Sequence, residues 1–335
     1  MSQIPEYIQD WITIIEEMVN DNTYKLAWGR AIIECARDKK DNNTIIKYDN
    51  ISECMLKYYW NQLFFFNLKQ APYKDKEPYI CQYTKELIER YIELKQSKNP
   101  CWFEDARIFF DKNDKAFYDK IIKKISKVLP TNVAYRFLHV NKSEENPNGC
   151  LKVYRFEKGL DYIEFNYDEL ELLRDYDVII SKLLNYKWAQ LLEKFNYSPR
   201  IASKVNGISQ AKEVGKSALR RKNLQKYKEA LLKEFEGIDP VDFYTGEDLK
   251  GKEITVDHVI PWSFMYSDDI WNLVLTSKSN NSSKSNRTPS EAEIEKLKKR
   301  NERLKDLLDD RLKGDLELAI KEDLVSKYYF SCKVQ

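Results

Sequence analysis

FYTGEDLKGKEITVDHVIPWSF (243–264), followed by IWNLVLTSKSNNSSKSNRTPS (270–290), decides how this chain is read. The first segment reads as a turn, a short strand, a glycine-containing turn, a second strand and a loop. The second reads as a short apolar segment and a polar helix of one or two turns, which Pro289 stops. The implied order is strand, strand, helix. Asp257 and His258 are adjacent at the end of the β-branched run ITV. Neighbouring strand residues face opposite sides, so both can serve one site only if the strand breaks there. Pro261 is consistent with such a break.

Asn272 and Asn281 follow Asp257 by 15 and 24 residues, and Lys278, Lys284 and Arg287 surround the second asparagine. Phosphodiester hydrolysis asks for this inventory. A hard cation such as Mg²⁺, with Mn²⁺ as its substitute, takes a carboxylate and an amide oxygen. A neutral imidazole, with an ordinary pKa of about 6.5, can take a proton from water. Cationic side chains hold the flanking phosphates. The other histidine, His139, sits in FLHV and reads as structural.

Taken together, FYTGEDL (243–249), VDHVIPWSF (256–264) and DDIWNLVLTSKSNNSSKSNR (268–287) resemble the HNH family, the ββα-metal nucleases. The resemblance implies that His258 is the general base and that Asp257 and Asn281 are the metal ligands. It also implies that Asn272 braces the motif and places the base. The spacing is similar to that of the HNH domain of CRISPR RNA-guided nucleases, although nothing else of those proteins fits. Many relatives carry two CxxC pairs that form a zinc knuckle. The corresponding positions here are Asp242 and Thr245, then Ser277 and Asn280, so no structural zinc is expected. The local core is assigned instead to Phe243, Trp262, Phe264, Trp271 and Leu273.

Outward from the motif, the 335 residues have a formal charge of +2 that hides an asymmetry. Residues 200–233 carry ten Lys/Arg against Glu213 and Glu229, a net of +8 that leaves −6 elsewhere. Arg220, Arg221 and Lys222 form its centre, a candidate for sequence-independent phosphate contacts. Six cysteines without CxxC spacing, no secretory leader and no membrane-length apolar run predict a reduced, cytoplasmic chain.

Helical periodicity marks 5–38 as two helices, YYWNQLFFFNL as part of a buried helix over 51–68, and further helices at 83–98, 115–129 and 168–195. Pro130 is expected to end one of them. VAYRFLHV (133–140), LKVYRF (151–156) and DYIEFN (161–166) read as a small β-meander with turns at NPNG and EKG. Residues 197–215 read as a linker. The expected fold class is α+β: a mainly helical domain with a small β element over 1–198, a basic linker and helix over 199–235, and a ββα-metal module with a helical tail over 236–335. In that tail Leu297, Leu304, Leu308 and Leu312 can pack.

TYKLAWGRAIIECA (23–36) and the basic approach to the motif are similar to bacterial restriction and phage-defence proteins with a C-terminal HNH module. The expected activity is metal-dependent cleavage of DNA, double-stranded first, by a homodimer or with a defence-system partner protein. The competing expectations are a ligand- or partner-activated effector acting on DNA or RNA, and a nucleic-acid-binding protein that cuts nothing.

Overall fold

The computed structural model describes residues 4–39, 43–72, 77–144, 146–209, 224–308 and 310–334. The chain divides into two compact units. One holds residues 1–196 and 201–212, the other 197–200 and 213–335.

The first unit is helical. Helices Glu6–Glu17, Tyr24–Asp38, Tyr48–Phe66, Tyr79–Lys95, Lys115–Leu129 and Asp177–Phe195 follow the periodicity of their apolar residues. Trp11, Trp28, Trp60 and Trp188 are fully buried among them. Trp60 meets Tyr91 edge-on at 5.6 Å, and Tyr58 meets Trp188 at 5.8 Å, the geometry the ring quadrupole favours. A further helix, Phe103–Asn113, adds Phe103, Ala106 and Phe110 to this core. The long aromatic helix ends where Asn67 enters the left-handed region, at φ 47°.

The expected β-meander is corrected. VAYRFLHV is not a strand: the helix runs through Pro130 into a π turn, Pro130–Ala134, and a further helical turn, Tyr135–Phe137. Val133, Ala134, Phe137 and Leu138 are all buried. Their spacing is a helical stripe, which overrode the β-branched and aromatic composition. Of the meander, Tyr162–Glu164 alone forms a strand, and it pairs antiparallel with Ile45–Lys47. His139 is exposed, with its Nδ1 2.8 Å from the Tyr135 carbonyl and its backbone in an isolated bridge to Cys150. Part of the expected linker is helical, Ile201–Ser209, with Ile201 and Val205 buried.

The second unit carries the motif. Its elements are α1 (Gln225–Leu232), β1 (Ile254–His258), β2 (Leu273–Ser277), α2 (Lys278–Lys284) and α3 (Glu291–Leu304). The strands pair antiparallel, with Asp257 opposite Val274 and His258 opposite Leu273. In place of a strand at 243–249 there is a turn closed by a bridge between Val241 and Asp248. Ser277 caps α2 by accepting from the Asn280 amide. Ser285, at φ 50°, ends α2 before Pro289 is reached, and Ser290 with Glu293 forms a capping box for α3.

Phe243, Phe264, Trp271 and Leu273 are buried as expected, while Trp262 is half-buried against Tyr266. Leu297 and Leu304 are fully buried, with Leu308 and Leu312 packed beside them. Trp271 stacks on Tyr328 of the C-terminal helix at 5.8 Å. Among the described residues no helix is long and apolar enough to cross a membrane.

Candidate active site

β1 delivers Asp257 and His258 at its last two positions, and the chain then leaves the sheet. The Asn272 side chain holds that departure. Its Oδ1 accepts from the Ile260 amide and its Nδ2 donates to the Ile260 carbonyl, both at 2.8 Å, and all four atoms belong to buried residues. The Val259 amide donates to the Asn272 carbonyl at 2.9 Å. One asparagine thereby closes the loop after His258 through backbone bonds in both directions, which fixes where the imidazole leaves the main chain.

His258 is buried, and its Nε2 lies 3.0 Å from Asp268 Oδ1. A carboxylate only accepts, so Nε2 carries the hydrogen and Nδ1 is left with its lone pair free to take a proton. Asp257 Oδ2 accepts from the Tyr244 hydroxyl at 2.6 Å and pairs with Lys284 Nζ at 3.0 Å. Lys284 also donates to the His258 carbonyl at 2.6 Å. Burial pulls the Lys284 ammonium below its ordinary value, and the Asp257 charge opposes that. Burial and the same carboxylate push the Tyr244 hydroxyl far up, so it stays a donor.

Asn281 lies one helical turn before Lys284 on α2, on the same face. Its Nδ2 donates to Thr255 Oγ1 of β1 at 3.4 Å, which turns the amide toward the strand that carries Asp257. The donor set on offer is a carboxylate and an amide oxygen, with Asp257 Oδ1 outside the Tyr244 and Lys284 contacts. Oxygen donors of this kind fit a hard divalent cation that keeps water and phosphate in its shell. Among the described residues no cluster of three His, Cys, Asp or Glu side chains has a metal-binding arrangement.

The three cations assigned to phosphate sit differently from one another. Lys284 is buried on Asp257. Lys278 is exposed and pairs with Glu253 at 3.0 Å. Arg287, half-exposed, pairs with Glu293 at 2.6 Å. Arg220, Arg221 and Lys222 lie outside the described residues. Elsewhere in the basic window, Lys204 is fully buried with its ammonium 5.4 Å from the Phe66 ring centre.

The four positions that align with zinc-knuckle cysteines meet through hydrogen bonds. Asp242 Oδ2 accepts from the Ser277 amide and the Thr276 hydroxyl at 2.8 Å, and from Asn280 Nδ2 at 2.9 Å. Its Oδ1 accepts from the Tyr244 amide at 2.9 Å and the Thr245 amide at 3.2 Å. These bonds outweigh the cost of burial and hold the Asp242 carboxyl down at about 2. One carboxylate thus ties the FYT turn to the end of β2 and the start of α2.

The HNH endonuclease family profile matches residues 242–290, the span that contains Asp257, His258, Asn272 and Asn281 with their hydrogen-bond partners. This segment belongs to the HNH family. No curated protein and no solved structure matches the chain. Within the HNH module, the residue-by-residue reading missed Tyr244 and Asp268 as partners of Asp257 and His258. The signal for Asp268 was the acidic pair before IWN (268–272), which offers two carboxylates without saying which one faces the base. Tyr244 had no signal beyond its place in the motif.

Proposed function

We propose that this HNH nuclease is a divalent-metal-dependent endonuclease that hydrolyses DNA. The observation that carries the reading is the His258–Asp268 pair, which holds the imidazole by Nε2 and leaves Nδ1 available. In the proposed reaction His258 Nδ1 takes a proton from the attacking water, while Asp268 holds Nε2–H and stabilises the imidazolium that forms. Asp257 and Asn281 would hold the cation. Bound there, it would offset the charge that develops on the phosphate and on the leaving oxygen. Asn272 fixes the loop that presents the base, and Lys284 keeps Asp257 charge-balanced in the buried site.

The setting we propose is restriction or anti-phage defence. The first unit would then serve recognition or regulation, through a homodimer or a partner protein. Its support is the architecture, a helical unit ahead of an HNH module, together with the basic window. A supercoiled plasmid incubated with Mg²⁺ tests the chemistry. Nicked or linear product from the parent, and none from His258→Ala, is the expected result. Comparable cleavage by both proteins would overturn the assignment.

A further inference from the structure

Behind β2, the second unit has a small cavity of about 110 Å³. Leu231, Phe235, Val274 and Leu275 supply apolar wall. Lys296, Arg300 and Arg303 reach it from α3, where their i, i+4, i+7 spacing puts them on one face. Arg300 is the unusual member. It is 4 % exposed and donates from Nη2 to the Leu273 carbonyl at 2.6 Å. Its Nε and Nη1 are buried and have no hydrogen-bond partner in the protein.

The Glu234 charge favours the Arg300 cation, but no carboxylate of the cavity accepts from these two donors. Glu234 is ion-paired with Arg303 at 3.1 Å, and both oxygens of Asp242 are taken by the clasp around Ser277 and Tyr244. Lys296 donates to the Phe243 carbonyl and lies 4.9 Å from that ring centre. A buried cation with two unmatched donors is strongly unfavourable unless an acceptor meets it. Burial pulls the Arg300 guanidinium down to about 10, which leaves it charged at neutral pH.

We infer that this cavity is a binding site for a small oxyanion, a phosphate group by preference, with Arg300 as its anchor. Several acceptor oxygens on one compact group suit donors on different edges of a guanidinium. A cavity of about 110 Å³ admits a tetrahedral oxyanion, either free or as the terminal phosphate of a nucleic acid. The site stands apart from the His258 chemistry and does not depend on it.

The test is calorimetric titration of the full chain with sodium phosphate in EDTA, against sodium chloride at equal ionic strength. The expected result is saturable phosphate binding by the parent, unchanged in His258→Ala. Arg300→Gln is expected to weaken it by about tenfold or more, the scale of losing a charge-assisted hydrogen bond. Lys296→Gln, which leaves Arg300 in place, is expected to weaken it less, and it keeps the test open if Arg300→Gln does not fold. Competition by a 5′-phosphorylated but not an unphosphorylated oligonucleotide would identify the source as a nucleic-acid terminus. Competition by neither would leave the free anion as the ligand. Binding no tighter than chloride, or equal in the parent and both variants, means that water or an adventitious ion fills the cavity, and the inference fails.

Discussion

Replacing Asp242 by Ala removes one acceptor from five donors. The Tyr244 and Thr245 amides lie in a turn that water can reach, so their loss costs little. The Ser277 amide and the Thr276 hydroxyl belong to buried residues and cannot rehydrate without opening the sheet. A buried polar group left unpaired costs about 1–3 kcal/mol. Two of them put the variant about 2–6 kcal/mol below the parent, a large share of a domain stability of about 5–15 kcal/mol. Asp242→Asn should lose roughly half as much, because one side of an amide accepts while the other confronts donors. The assay is urea unfolding of the full chain, followed by tryptophan fluorescence. Acid adds a second readout. The Asp242 carboxyl is depressed to about 2, so its stabilisation is present above the ordinary aspartate value of about 3.9 and is lost as pH falls from there through about 2. The parent should lose stability over that window more steeply than Asp242→Asn. A Asp242→Ala variant within about 0.5 kcal/mol of the parent, the range of ordinary surface changes, would refute the clasp as a structural element.

Three further outcomes follow from the same contacts. Asn272→Ala orphans the Ile260 amide and carbonyl, both buried, and should cost about 2–6 kcal/mol in urea unfolding. Any folded fraction should cleave more slowly, because the loop after His258 is no longer closed. Asp268→Ala should leave the DNA dissociation constant unchanged but lower the cleavage rate by about tenfold or more. A general base is worth about 10²–10⁴ and here its orientation, not its identity, is lost. Lys284→Met leaves a buried carboxylate with Tyr244 alone, at a cost of about 3 kcal/mol. Added Mg²⁺ should recover more stability in that variant than in the parent, as measured by thermal unfolding with and without the cation.

The legible parts of the fold were those written in local periodicity. The helices over Tyr24–Asp38 and Tyr48–Phe66 carry long apolar stripes, and the chain alone was enough to place them. Residues 133–138 were misread because their β-branched and aromatic composition suits a strand, whereas their burial follows helical spacing around Phe137. The pairing of Ile45–Lys47 with Tyr162–Glu164 joins two three-residue segments far apart in sequence. Neither is long enough to display an alternation. In the HNH module, β1 and α2 were readable because a strand break and a polar helix each left a residue signature, whereas the partner strand β2 (Leu273–Ser277) read only as a short apolar segment and the expected first strand is a turn. The orienting role of Asp268 was not readable. Nothing local distinguishes it from Asp269, and only the folded loop decides which carboxylate lies 3.0 Å from His258.

The central claim is that His258 is the base of a metal-dependent phosphodiesterase site formed with Asp257 and Asn281. Its most direct measurement is single-turnover cleavage of a labelled duplex DNA by the parent and by His258→Ala, each with Mg²⁺ and with EDTA. The account predicts cleavage by the parent only with Mg²⁺ and a loss of about 10²–10⁴ in the variant, with DNA binding retained. Cleavage by the parent in EDTA, or equal rates for parent and variant, would contradict it.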